Sequence, residues 1–425
     1  MTSHIPPERY EARLAAAREA LAAAEADALL VGVGADLRWL TGYEALPLER
    51  LTMLVLPRDG QAALLVPRLE LARAACAEAV DAGSVGMVAW DETDDPVALV
   101  LPIVAGRVTT HSGGDRFDEP GGGQFDELSG VRAGPPPAPG GVVVGAASRP
   151  PGGHRRLLVS DRLWASFLLR LQGAFAGAAF NLASTVLREL RMAKDADEVA
   201  LLREAAGAAD RVIDALVAGR LVGRSEIDIA REVRDRLVAE GHDSAAFAIV
   251  GSGPNSASPH HEASDRVVEV GEPIVFDIGG TIGGYGSDVT RTIWVSGGEA
   301  EPDAEFRHLY GVVQRAQEQA VAAVRPGVTC ERIDAVARDV ITAEGYGPRF
   351  IHRTGHGIGL EEHEDPYIVA GNAERLREGF AFSVEPGIYL DGRYGARIED
   401  IVVCGPDGPD VLNAVPRELA VVDGL

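Results

Sequence analysis

Carboxylates set inside apolar runs are the residues of this sequence with most chemistry to offer. In Pro273–Val295, PIVFDIGGTIGGYGSDVTRTIWV, Asp277 interrupts a run that otherwise reads as a buried strand, where a carboxylate without a positive partner is costly. A glycine-built turn and a second β-rich run follow, so the stretch predicts a hairpin. Period-2 alternation puts Asp288, Thr290 and Thr292 on one face of the second run, and Val289, Arg291 and Ile293 on the other. On paired strands Asp277 and Asp288 can face each other. Taken alone, the pattern fits two turn aspartates in a hairpin equally well.

Three further stretches supply ligand types. FIHRTGHGIGLEEHEDP carries His352, His356 and His363 among glycines, SVEPGIYL carries Glu385 before a proline, and ARIEDIVV carries Arg397 and Glu399 on one face of a strand with Asp400 pointing away. Asp277, Asp288, His356, Glu385 and Glu399 together hold four carboxylates, a charge of about −4 that two divalent cations neutralise. Without cations, converging acids repel and take up protons. A carboxylate-rich set with one imidazole favours hard or borderline ions such as Mn²⁺ over a thiolate-type zinc site. Five ligands serve two metals only if some carboxylates bridge, with the ions about 3.5–4 Å apart as in two-metal hydrolases.

The elements that must position these residues follow from the chain order. At 425 residues, with 46% hydrophobic and 24% charged residues, the length predicts two or three domains. Asp and Glu exceed Lys and Arg by 64 to 40, which argues against nucleic acid and anionic membranes as partners. No apolar run reaches transmembrane length, and the amino terminus lacks the pattern of a secretory signal. Cys76, Cys330 and Cys404 share no metal or disulfide spacing, which fits small hydrophobes in a reducing cytoplasm. A helix over Glu8–Ala26, a strand ALLVGVG, a hairpin across Arg58-Asp59-Gly60, a helix LELARAACAEAV and a strand VGMVAW predict a small α/β or α+β domain. Residues 106–156, rich in Gly and Pro, read as a flexible insertion open to proteolysis. The fold resumes with a strand near RRLLVS and a helix through LWASFLLRLQ, and a domain boundary falls near LRELRMAKDADE.

The second half repeats itself. Gly223–Gly241, GRSEIDIAREVRDRLVAEG, returns 104 residues later as Gly327–Gly345, GVTCERIDAVARDVITAEG, with Ser225 and Thr329 as equivalent N-caps. Each copy follows another helix, 195–219 and 303–324, and precedes strands bearing acids. Two helix-helix-sheet halves would bring those strands together around a pseudo-two-fold axis.

In these motifs the second half resembles the catalytic domain of the Xaa-Pro peptidases (prolidase and aminopeptidase P), and LLVGVGADLRWLTGYE resembles the amino-terminal domain shared with creatinase. The resemblance covers most of the chain except 106–156. It implies an α/β (α+β) protein with a creatinase-like domain over 1–190 and a pita-bread catalytic domain over 191–425. It implies that Asp277 ligates one metal, His356 and Glu385 the other, and Asp288 and Glu399 bridge. It places His260 of SGPNSASPHH, His352, His363 and Arg397 at substrate-binding positions, with Glu385, His260 and His363 catalytic, and leaves His261 as an ordinary polar residue. Glu385 is then the proton acceptor from an activated water, and His260 and His363 stabilise the intermediate or protonate the leaving amine. Expected with it are two divalent ions per chain, Mn²⁺ first and Co²⁺ or Zn²⁺ as alternatives, proline-containing di- or oligopeptide substrates, a homodimer or else a tetramer, and a cytoplasmic location. Xaa-Pro dipeptidase and aminopeptidase P both fit, with the dipeptidase favoured. Five intact ligands argue against a metal-free creatinase-type hydrolase and a non-catalytic binding module, and the long preceding domain against a methionine aminopeptidase.

Overall fold

The computed structural model describes residues 4–107 and 155–425. The chain divides into two compact units, Pro6–Leu190 and one built on Arg191–Leu425.

The first unit is a six-stranded mixed sheet in the order β4-β3-β2-β1-β5-β6. Its strands are β1 (Ala28–Gly32), β2 (Met53–Pro57), β3 (Ala62–Pro67), β4 (Val85–Trp90), β5 (Arg156–Val159) and β6 (Ala179–Leu182). β1, β2 and β3 are fully buried, which is why they read as continuous apolar runs rather than alternating ones. β2 and β3 form the expected hairpin, Val55 opposite Ala63. The helices of this unit are α1 (Pro7–Ala23), α2 (Ala35–Thr41), α3 (Leu71–Ala74), α4 (Glu78–Asp81), α5 (Pro96–Val104) and α6 (Ala165–Ala174).

Two sequence expectations change here. α1 ends three residues early, because Glu25 takes a left-handed conformation (φ 52°) and turns the chain towards β1. The single helix expected over LELARAACAEAV is broken into α3 and α4, with Ala77 extended (φ −67°, ψ 135°) to begin α4, and nothing in that alanine-rich composition marks the break. The flexible insertion expected over 106–156 lies almost wholly outside the described residues; Arg156, at its end, already belongs to β5.

The chain enters the second unit through α7 (Ser184–Met192), and the duplicated halves follow. α8 (Ala196–Val217) and α9 (Glu226–Ala239) precede β7 (Ser244–Ser252), β8 (Glu272–Ile282), β9 (Tyr285–Gly286) and β10 (Val289–Val295). α10 (Ala304–Ala322) and α11 (Cys330–Ala343) precede β11 (Gly355–Gly357), β12 (Glu364–Ile368), β13 (Ala381–Val384), β14 (Gly387–Leu390), β15 (Tyr394–Arg397), β16 (Asp400–Cys404), β17 (Pro409–Val411) and β18 (Ala420–Val422). α9 and α11 are the two copies of the repeat, 14 residues each. Ser225 caps α9 through its side chain, accepting from the Asp228 amide, whereas Thr329 holds the same backbone position without a side-chain cap bond.

Two main sheets result, β18-β10-β8-β7, in which the last strand of the second half joins the strands of the first, and β12-β11-β13-β16-β17. Val289 and Ile293 of β10 enter the core between the first sheet and α8 and α9. The second core gathers Val312, Val313 and Ala316 of α10, Ile333 and Ala337 of α11, and Phe382, Val384 and Val402 of the second sheet. The halves meet where Thr290 pairs with Glu399, whose amide donates to the Thr290 carbonyl at 3.1 Å.

Candidate active site

The expected hairpin forms, with Asp277 of β8 directly opposite Thr290 of β10. The alternation read from the sequence holds: Thr290 and Thr292 turn towards Glu399 and Arg397, while Arg291 turns away to Asp400. Asp400 accepts from Arg291 at 2.6 Å, Gln317 at 2.8 Å and Arg417 at 2.6 Å, so it is fully used on the far face.

His356 enters from the other half. It sits on β11 between two glycines whose backbone runs against its neighbours. A Cβ on Gly355 would come within 1.8 Å of the Ser383 carbonyl oxygen, and one on Gly357 within 2.2 Å of the Asp365 carbonyl oxygen. Only glycine at both positions lets β11 lie this close to β12 and β13. The Ser383 hydroxyl then accepts from the His356 amide at 3.1 Å and donates to Glu385 at 3.3 Å.

Asp288, His356 and Glu399 each present a ligand atom, all within 4.8 Å of one another and all buried. His356 Nε2 stands 3.5 Å from both Asp288 Oδ2 and Glu385 Oε1. Asp277 gives one oxygen to Arg397, while its other, Oδ1, is buried without a partner. Arg397 also donates to Thr290 Oγ1 at 3.1 Å and to the Tyr389 hydroxyl at 2.9 Å.

The remaining histidines gather around this cluster. His352 Nε2 meets the Tyr389 hydroxyl at 2.9 Å, and its Nδ1 lies 4.0 Å from Glu385 Oε2. The His363 ring is 4.0 Å from that of His356, centroid to centroid. His260 is exposed and close enough for its charge to oppose protonation of both His352 and His363. His261, by contrast, bonds Glu226 at 2.7 Å.

The electrostatics are those of a site prepared for cations. Burial, and after it the neighbouring carboxylates, push Asp288 and Glu399 well above the ordinary range. Burial also raises Glu385, with Arg397 opposing it. Burial, reinforced by His363, brings His356 down to about 3, and burial with Arg397 does the same for His352. Both imidazoles are therefore neutral at pH 7, the form that ligates metal. Stacked acids that take up protons, a neutral imidazole and an orphaned buried carboxylate oxygen fit hard or borderline divalent ions.

Comparison with known proteins agrees with this geometry. Residues 200–406 match metallopeptidase family M24, and residues 13–109 match the creatinase/prolidase N-terminal domain. A probable dipeptidase, PepE, of Mycobacterium tuberculosis is 43% identical over 420 residues, 97% of this chain and 98% of that protein. The chain belongs to the M24 metallopeptidases. The crystal structure of dipeptidase PepE from Mycobacterium ulcerans superposes with a TM-score of 0.82 at 42% identity, covering 99% of each chain. That of a recombinant prolidase from Thermococcus sibiricus gives 0.80 at 32% identity, covering 97% of this chain and 99% of the other. The chain is thus a metallopeptidase of the Xaa-Pro peptidase family, with the creatinase-like domain followed by the pita-bread domain of its M24 relatives.

Sequence reasoning passed over three side chains that hold the site together. Thr290 donates to Glu399 Oε2 at 2.7 Å. Tyr389 joins His352 to Arg397. Glu226, wholly buried, collects the polar groups of the loop that carries His260. Thr290 was legible from its place on the Asp288 face; Tyr389 and Glu226 carry no local mark, since only the β14–β15 pairing and the return of 252–264 to α9 reveal them.

Proposed function

We propose that the chain is a dinuclear-metal dipeptidase that hydrolyses the bond between a residue and a following proline. The convergence of Asp288, His356 and Glu399 within 4.8 Å, beside Glu385 and the unpartnered oxygen of Asp277, carries this reading. The dipeptidase and prolidase names of its M24 relatives support the substrate class.

A bond preceding proline is a tertiary amide without an N–H, so an enzyme that grips substrate backbone through that hydrogen bond handles it poorly. In the proposed site Asp277, Asp288, His356, Glu385 and Glu399 would hold two divalent ions, and the carboxylate-rich set favours Mn²⁺. Such a pair supplies Lewis acidity, lowering the pKa of water towards neutrality and polarising the scissile carbonyl.

The chain's own residues do the rest. Glu385, raised by burial, accepts the proton from the attacking water and can return it to the leaving nitrogen. Neutral His363, with His260 nearby, offers N–H donors to the developing oxyanion and the leaving amine, while His352, whose Nδ1–H is taken by the Arg353 carbonyl at 2.8 Å and whose Nε2 accepts from Tyr389, lines the substrate side of the site. Arg397, fixed by Asp277, Thr290 and Tyr389, holds the substrate carboxylate or the bridging acids in place. The scattered spacing of Cys76, Cys330 and Cys404 supports a reducing cytoplasm as the enzyme's location.

The deciding assay uses Mn²⁺-reconstituted protein on an Xaa-Pro dipeptide and on an Xaa-Pro-Yaa tripeptide. Cleavage of the dipeptide with little of the tripeptide is expected. Preference for the tripeptide moves the enzyme to the aminopeptidase P branch, and cleavage of neither ends the proline-directed reading.

A further inference from the structure

The two copies of the repeat do the same job with different residues. In the first half Glu226, the first residue of α9, is wholly buried, and both its oxygens are taken by the loop 252–264. Oε1 accepts from the Ser252 amide at 2.8 Å and its hydroxyl at 2.7 Å. Oε2 accepts from the Ser264 amide at 3.0 Å, the Ser264 hydroxyl at 2.7 Å and His261 Nε2 at 2.7 Å. The loop closed in this way carries His260. Arg397 meets it from the side of the site, donating to the Pro259 carbonyl at 3.2 Å.

In the second half the buried acid is Asp334 of α11. Its Oδ1 accepts from the Thr354 amide at 3.2 Å and hydroxyl at 2.8 Å. Arg338, one turn along, pairs with both Asp334 oxygens and donates onward to the carbonyls of Phe350 at 3.0 Å and His352 at 2.9 Å. Cys330 is the repeat equivalent of Glu226, so the two acids lie one helical turn apart on the same face of equivalent helices. The position has moved, but the arrangement is kept: a buried carboxylate on the second helix gripping the histidine-bearing segment of its own half.

We propose that Glu226 and Asp334 are positioning residues, one per half, that fix His260 and His352 respectively without touching substrate. This rests on the reading of those histidines as substrate-side groups. Glutamine or asparagine keeps the size of each acid but turns one acceptor oxygen into an NH₂ that faces donors, and a displacement of about 1 Å at a site can cost roughly 10²-fold in rate.

The test crosses Glu226→Gln and Asp334→Asn with His260→Ala and His352→Ala, reading kcat/KM on an Xaa-Pro dipeptide and metal content in every sample. Glu226→Gln is expected to lower kcat/KM about 10- to 100-fold with metal retained. That loss should vanish in the His260→Ala background and persist in His352→Ala; Asp334→Asn should behave the other way round. Equal losses in every background mean a general loosening of the fold and overturn the proposal, as do His260→Ala and His352→Ala proteins as active as wild type. Hydrogen exchange supplies a readout free of catalysis: Glu226→Gln should expose 253–264 and spare 350–356, with the reverse for Asp334→Asn. Unchanged or indiscriminate exchange overturns the anchoring even if the enzyme proves not to be proline-directed, and the selective pattern supports it in that case too. If either acid variant does not fold, His261→Ala and Thr354→Val, which remove single donors, take their places in the same design.

Discussion

Glu385 shows how much a single side chain is asked to do. Its Oε1 lies 3.5 Å from His356 Nε2 and 3.3 Å from the Ser383 hydroxyl, in a pocket whose burial raises its affinity for protons. If it both ligates and accepts the proton of water, Glu385→Gln keeps size and one oxygen but loses the base. The expected loss falls on kcat, by roughly 10²–10⁴, with metal content measured on the same sample. Near-wild-type turnover in metal-replete protein removes the proton-transfer role and leaves the ligand set standing. At this scale the sequence was most informative where an acid interrupts an apolar run, as at Asp277, because burial of a charge demands a reason. It said nothing of Tyr389, since a tyrosine in a strand reads as core until β14 is laid against β15 and its hydroxyl is found between His352 and Arg397.

At the scale of elements, β11 lies hard against the backbone of its neighbours. Gly355→Ala would drive a Cβ to 1.8 Å from the Ser383 carbonyl oxygen, so β11 must move and take His356 with it. The expected cost is about 1–3 kcal/mol or more, read by thermal unfolding, together with weaker metal retention; unchanged stability and metal content would show that the strand has room. A second test concerns β12, whose first residue, Glu364, is buried against Lys194 and Arg191. Burial works against ionisation of Glu364, and those two cations outweigh it, holding the carboxyl below its ordinary value. Lys194→Met leaves one partner where there were two and should destabilise by about 3 kcal/mol, whereas an unchanged melting temperature would mean that Arg191 suffices. The helices of the duplication were legible because α9 and α11 keep their length and a Ser or Thr at the N-cap position across 104 residues, although only Ser225 makes the side-chain cap bond. The break between α3 and α4 was not, since alanine favours helix and gives no stop.

For the whole molecule, the chain is acidic, with a net charge of −24, and its second unit buries several carboxylates, Glu226 among them. Glu226 illustrates the consequence for acid stability. Its burial opposes ionisation, but the bonds from Ser264, His261 and Ser252 outweigh it and bring its pKa from 4.5 to about 2. A depressed carboxyl stabilises the fold above its unfolded value and loses that contribution as pH falls through its folded one. Wild type should therefore exceed Glu226→Gln in urea midpoint at pH 7, with the gap closing between pH 4.5 and about 2; a gap that is constant with pH would place the effect in packing rather than charge. The two-domain plan was legible from an amino-terminal α/β pattern followed by a repeat, whereas the meeting of the halves at Thr290 and Glu399 was not, because no local pattern encodes an isolated pair between sheets. The central claim is that this meeting point builds a dinuclear metal site. Elemental analysis of purified protein together with anomalous scattering from its crystals tests it most directly. Two divalent ions per chain, seated among Asp277, Asp288, His356, Glu385 and Glu399, are predicted. A protein that hydrolyses Xaa-Pro dipeptides with no metal at that position contradicts the account.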